Sequence, residues 1–129
     1  MTRKFLSLLM ILAVQINCSA PKQAYQTTPS LPISAEIPSV VVSGQKYLFI
    51  IQTSPDVICN AGIAFWNTDN KWVFDDLLPI QSNELGVCEW QWELPDNAKS
   101  GIAEFKAFVK KEEQSTDLIP KTFCIEVCP

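Results

Sequence analysis

Histidine is absent from this 129-residue sequence. Its absence removes the usual general base near neutral pH and the commonest metal ligand, so most hydrolase and metalloenzyme schemes lose their central part. Glycine is scarce, at 4 residues, and none of them forms a phosphate-cradling loop motif. Basic charge is also in short supply: 10 Lys and Arg stand against 14 Asp and Glu, a formal net charge of -4. No apolar run reaches the ~20 residues that a membrane-spanning helix needs. What the chain does have is 47% hydrophobic and only 19% charged residues, a balance that excludes disorder by composition and predicts a globular fold. The length fits one domain, of about 110 residues once a leader is removed.

The leader is read from Arg3 and Lys4 followed by the apolar run FLSLLMILAV, Phe5 to Val14, after which polarity rises at Gln15 and Asn17. A charged start and about ten apolar residues form the plan of a secretory signal rather than a spanning helix. Without Arg3 and Lys4, 8 basic residues oppose 14 acidic ones, a balance of -6. Such a charge repels phosphate backbones and argues against nucleic acid as a partner. Cys18 lies just past the apolar run, a placement that resembles the lipobox of bacterial lipoproteins, in which the cysteine is lipidated and becomes the new N-terminus. Gln15 stands where the lipobox prefers Leu or Val, and Asn17 where it prefers a small residue. The competing cut follows Ala20, because Cys18, Ser19 and Ala20 form a small-x-small tripeptide. Lipidation of Cys18 would account for the odd one of 5 cysteines and leave four to pair.

Residues 19–34, SAPKQAYQTTPSLPIS, are rich in Ser, Thr, Pro and Gln and carry one charge. They predict a disordered tether between a signal segment at 1–18 and a domain at 35–129. Within that domain, short β-rich segments alternate with turn residues: Val40 to Val42, Lys46 to Thr53, Val57 to Trp66, a short KWVF run, Val87 to Leu94, Ile102 to Lys111 and Thr122 to Cys128. Val87 to Leu94 is the clearest. Cys88, Trp90, Trp92 and Leu94 alternate with polar residues, and only a strand puts those four on one face. The expected fold is therefore all-β, an antiparallel sandwich of about seven strands.

The succession SGQKYLFIIQTSPDVIC, then EWQWELP, then KSGIAEFKAFV resembles a bacterial immunoglobulin-like domain of exported proteins. Pro55, Cys59, Trp90, Trp92 and Gly101 occupy the positions of that family's turn, cysteine, Trp-x-Trp strand and following turn. Asp56 replaces its turn glycine and Ser100 its turn proline. The resemblance implies an immunoglobulin-like sandwich with no catalytic residues and no set ligand. In that strand order Cys59 and Cys88, both inward by parity, begin strands on opposite sheets at one end, which favours their pairing. Cys124 and Cys128 would lie ~13 Å apart in one straight strand, so they pair only if the chain turns. Cys59 with Cys124 is the alternative.

Trp90 and Trp92 read as core, whereas Trp66 and Trp72 flank a polar turn at Asn67 to Asn70 and are candidates for stacking on a sugar or a partner surface. Two aromatics covering a sheet edge is the competing account of that pair. Asp75 and Asp76, with Asp69 nearby, read as a solvated turn rather than a calcium loop or an acid/base pair. Four cysteines without a C-x-x-C pair do not form a zinc motif, and no Ser or Cys nucleophile has a partner base. The expectation is a non-enzymatic module without cofactor or metal, lipid-anchored in or secreted from a bacterial cell envelope. It would bind an unidentified protein or glycan or act as a structural spacer; the alternative is a small extracytoplasmic enzyme or a glycan-binding domain that uses exposed aromatics.

Overall fold

A computed structural model describes residues 30–128. The expected signal segment, Cys18 and the expected tether up to residue 29 lie outside the described residues. Nine strands follow in order: β1 Ser34–Glu36, β2 Val40–Val41, β3 Lys46–Gln52, β4 Ile58–Trp66, β5 Trp72–Gln81, β6 Val87–Glu93, β7 Gly101–Lys111, β8 Gln114–Asp117 and β9 Lys121–Ile125. The smaller sheet runs β1-β3-β6 and the larger β2-β9-β7-β4-β5, with β8 hairpinned onto β7. The β3-to-β4 and β6-to-β7 connections cross between sheets. This is the strand order of an immunoglobulin-like sandwich, with β5 added beside β4.

Alternation along each strand builds the core. Phe49 and Ile51 from the smaller sheet meet Ile63, Phe105, Val109 and Ile125 from the larger, all six at 1% exposure or less. Phe49 sits at the centre of a ring cluster, 5.9 Å from Trp92, 5.2 Å from Phe105 and 5.4 Å from Phe123. Two of these contacts are edge-on, the arrangement that ring quadrupoles favour. The indoles of β6 reach across to the edge strand of the other sheet: Trp90 Nε1 donates to the Leu78 carbonyl at 2.7 Å and Trp92 Nε1 to Asp75 Oδ2 at 2.8 Å. The buried polar residues Thr53, Asn67 and Ser82 also find partners, while the Thr116 Oγ1 atom is buried without one. Ser82 Oγ accepts from Val57 N–H at 2.9 Å and donates to the Ser54 carbonyl at 2.6 Å.

Cys59 on β4 and Cys88 on β6 are joined, with Cα atoms 6.6 Å apart, and Cys124 is joined to Cys128 at 5.9 Å. The first bond clips the two sheets together, and the Cys59–Cys124 alternative is excluded. The second exists because the last strand stops at Ile125 instead of continuing to Cys128: Glu126 takes the left-handed conformation, φ 62, and turns the chain back. At the family-like turn before β4, Asp56 also adopts a left-handed φ of 59, a conformation that glycine takes freely and Asp tolerates. Its carboxylate accepts from Gln81 Nε2 at 3.2 Å.

Four further differences from the sequence reading have local causes. Two strands beyond the expected seven, β1 and β8, hide in a proline-rich and a charged stretch and rest on pairing with β3 and β7. One pair is parallel, β2 with β9, because the entering chain changes sheets between β1 and β2. Residues 30–34, assigned to the tether, belong to the packed body from Leu31 onward: Leu31 is buried and the Pro32 carbonyl accepts from Thr53 Oγ1 at 2.6 Å. Asp75 and Asp76 lie within the ten-residue β5, not in a turn.

The Cys59–Cys88 bond closes a 29-residue separation. By chain entropy it contributes roughly 3–4 kcal/mol, a large part of a domain's typical stability. Cys59→Ala and Cys88→Ala are each expected to lower the Tm by about 10 °C or more. The double variant should be little worse than either single one, since both lose the same bond; calorimetry of the four species checks this, and additive losses would contradict it.

Candidate functional site: the outer face of the larger sheet

The two outer faces of the sandwich differ in chemistry. Of twelve exposed large apolar residues among those described, eight belong to the outer side of the larger sheet: Val40, Ile58, Trp66, Trp72, Phe74, Leu78, Ile102 and Phe108. The smaller sheet shows Leu48 among Lys46, Glu89, Gln91 and Glu93. Exposed apolar residues gathered on one face of a small domain mark a candidate interaction surface.

The middle of that face is shaped by the small outward residues of β4. Gly62 stands between Asp76 on β5 and Lys106 on β7, and the ring of Phe74 lies directly over it. Ala64, opposite Phe74, also points outward yet is 1% exposed. Register slips between Cys59 and Ala61, so that Leu78 and Pro79 bulge from the β5 edge beside Asn60. The result is a shallow groove of about 390 Å³ between Phe74, Leu78 and Phe108, with Asp76 and Lys106 on its lining. Lys106 Nζ is 3.6 Å from Glu104 Oε1.

At the end of the same face, Trp66 and Trp72 are directly opposed across the β4–β5 hairpin, at 47% and 41% exposure. Their rings are 5.4 Å apart and inclined by 59°, so Trp72 props Trp66 and the two do not form a single flat platform. The tip between them is set by Asn67, whose side-chain oxygen accepts from Asp69 N–H at 2.9 Å and Lys71 N–H at 3.0 Å. A depression of about 370 Å³ beside Trp66 is lined by Asn70, Lys99 and Ser100. The Trp66 carbonyl accepts from Lys99 N–H at 2.8 Å, which ties the 98–100 segment to the tryptophan's strand.

Of the residues singled out from sequence, the structure brings Trp66 and Trp72 together and puts the four described cysteines into structural bonds. Asp75 and Asp76 point to opposite faces, so they form no carboxylate pair. Among the described residues no group of three or more His, Cys, Asp or Glu is placed to hold a metal ion. Sequence reasoning placed Asn70 in the turn beside Trp66 but not in a site, and it missed Lys99 and Ser100, which are distant along the chain, and Phe74 and Gly62, whose contact depends on cross-strand register. The period-two signal around Ile63 and Phe65 pointed outward at Gly62, but the KWVF run gave no register to match it.

No protein-family model matches the chain, and no curated protein matches it by sequence. Among solved structures it is similar to Escherichia coli alpha-2-macroglobulin activated by porcine elastase, with a TM-score of 0.64 at 13% identity. The match covers 78% of this chain and 13% of that one. The likeness shows the fold, an all-β sandwich of the kind that recurs inside larger proteins. Its two disulfides are bonds that form and persist in oxidising compartments, which places the folded domain outside a reducing cytoplasm.

A methyl group at Gly62 would collide only with the far end of the half-exposed Phe74 ring. Gly62→Ala is therefore expected to swing Phe74 off the face while changing stability by no more than about 1 kcal/mol, since strand alanine offsets the rotamer cost. Loss of Phe74 contacts by NMR with a nearly unchanged Tm checks this; a collapse of the fold would show that the ring is locked in place.

Proposed function

We propose that this protein is an exported, non-enzymatic binding module of the bacterial cell envelope, anchored through a lipid on Cys18 and engaging its ligand with the outer face of the larger sheet. The observation that carries the reading is the asymmetry between the faces: eight exposed large apolar residues on one against Leu48 on the other. Half-exposed aromatics are enriched at contact surfaces, and here they stand beside Asp76, Glu104 and Lys106. The resemblance of the Pro55, Cys59, Trp90, Trp92 and Gly101 pattern to bacterial immunoglobulin-like domains supports the same reading, and an acidic balance without a basic patch argues against nucleic acid.

Two measurements test it. Retention of the mature protein on isolated cell-envelope material should fall by about tenfold for Phe74→Ser with Phe108→Ser, the loss of roughly 1.4 kcal/mol of contact. Leu48→Ser on the opposite face should leave retention unchanged; equal behaviour of the two variants would refute the assignment of the face. For the anchor, mass spectrometry of the mature protein should show a lipid on Cys18, and Cys18→Ala should release or block processing of the chain. A soluble wild-type protein beginning after Ala20 would rule the anchor out.

A further inference from the structure

We infer that the Trp66 end of this face is a carbohydrate subsite selective for a sugar that carries a carboxylate. The inference rests on the reading of the outer face as the binding surface and adds to it the class of ligand. Trp66 offers the exposed apolar plane on which the C–H face of a pyranose stacks, and Trp72 holds it from behind at 5.4 Å. Neutral sugars would be served by that plane alone. The polar groups beside it ask for more.

Lys99 Nζ donates to Asn70 Oδ1 at 2.5 Å, and among the described residues no carboxylate pairs with it. The ammonium is thus oriented by a neutral partner and has two further N–H groups to donate. Asn70 has its oxygen occupied, which leaves its NH₂ as donor. Ser100 Oγ gives its proton to Glu126 Oε1 at 3.2 Å and keeps its oxygen as acceptor. The depression is therefore polarised: a cation and donors at the Asn70–Lys99 side, an acceptor backed by a carboxylate at the Ser100 side. A sugar with one carboxylate fits in a single orientation, its acid group on Lys99 and a hydroxyl on Ser100. An apolar peptide side chain on Trp66 would offer no acceptor to the two remaining N–H groups of the ammonium.

The test uses the mature protein and three polymers: polygalacturonate, its full methyl ester, and polyglutamate as a charge-matched chain without sugar rings. Affinity electrophoresis and tryptophan fluorescence should show binding to polygalacturonate and about tenfold weaker binding to the ester, a difference of one compensated charge. Trp66→Ala should abolish binding to both, while Trp66→Phe, which keeps a ring, should retain part of it and control for folding. Lys99→Gln should equalise acid and ester; Lys46→Gln, the same charge change on the opposite sheet, should leave the preference intact. Binding of polyglutamate as strong as polygalacturonate, equal effects of Lys99→Gln and Lys46→Gln, or equal binding of acid and ester would each overturn the inference. If none of the polymers binds while Phe74→Ser with Phe108→Ser still lowers envelope retention, the subsite falls and the binding face stands. If that retention is also unaffected, both fall.

Discussion

A three-stranded sheet cannot close a sandwich by itself, and in this protein its exposed side is held by a single strand. The inward side chains of β6 are Cys88, Trp90 and Trp92, and each reaches the larger sheet: Cys88 covalently to Cys59, Trp90 through its N–H to the Leu78 carbonyl, Trp92 through its N–H to the Asp75 carboxylate. The two hydrogen bonds end on β5, the edge strand, and occupy groups that would otherwise face an open cleft. An edge whose carbonyl is capped and which carries Pro79 is a poor template for pairing with another chain. That protection lets β5 display Trp72, Phe74 and Leu78 outward without inviting edge-to-edge association.

The apolar outer face follows from the same hairpin. β4 contributes Asn60, Gly62, Ala64 and Trp66 outward, so over its middle the sheet has almost no side-chain surface of its own. The neighbouring aromatics lean over this floor, as cross-strand pairs of aromatic and small residues do. Phe74 covers Gly62 and remains half exposed. The smaller sheet has no such vacancy; its outward positions pair Lys46 with Glu93 and Leu48 with Gln91 across β3 and β6, and water suits them.

What could be read in the sequence was whatever depends on alternation alone. Cys88, Trp90, Trp92 and Leu94 are all buried as their period-two pattern required, and Trp66 is exposed as its parity opposite Phe65 required. What could not be read depends on partners far along the chain. Asp75 and Asp76 look like a turn until Trp92 supplies a donor to the first of them, and Ser34, the first residue of β1, looks like the end of a tether until β3 pairs with it. The Cys124–Cys128 bond was conditional on a turn, and that turn is made by a glutamate, Glu126, a residue type that gives no local signal for a left-handed backbone. The aromatic half of the candidate site was legible for the same reason as the core. Its polar half was not: Lys99 and Ser100 come from the approach to β7 and meet Asn70 only through the bridge between Asn67 and Ala98.

The parallel pairing of β2 with β9 has a mechanical meaning. These strands carry the chain into and out of the larger sheet, joined by Cys124 N–H to the Ser39 carbonyl at 2.9 Å and Glu126 N–H to the Val41 carbonyl at 2.8 Å. Tension applied to the two ends of the domain pulls parallel strands past each other, so both bonds and the buried Val41 are loaded at once rather than peeled in turn. The Cys124–Cys128 bond adds a second path for that load, delivering a pull on the last residues to the body of β9 instead of to its frayed end. In such a parallel pair a pull along the chain acts on both hydrogen bonds as shear.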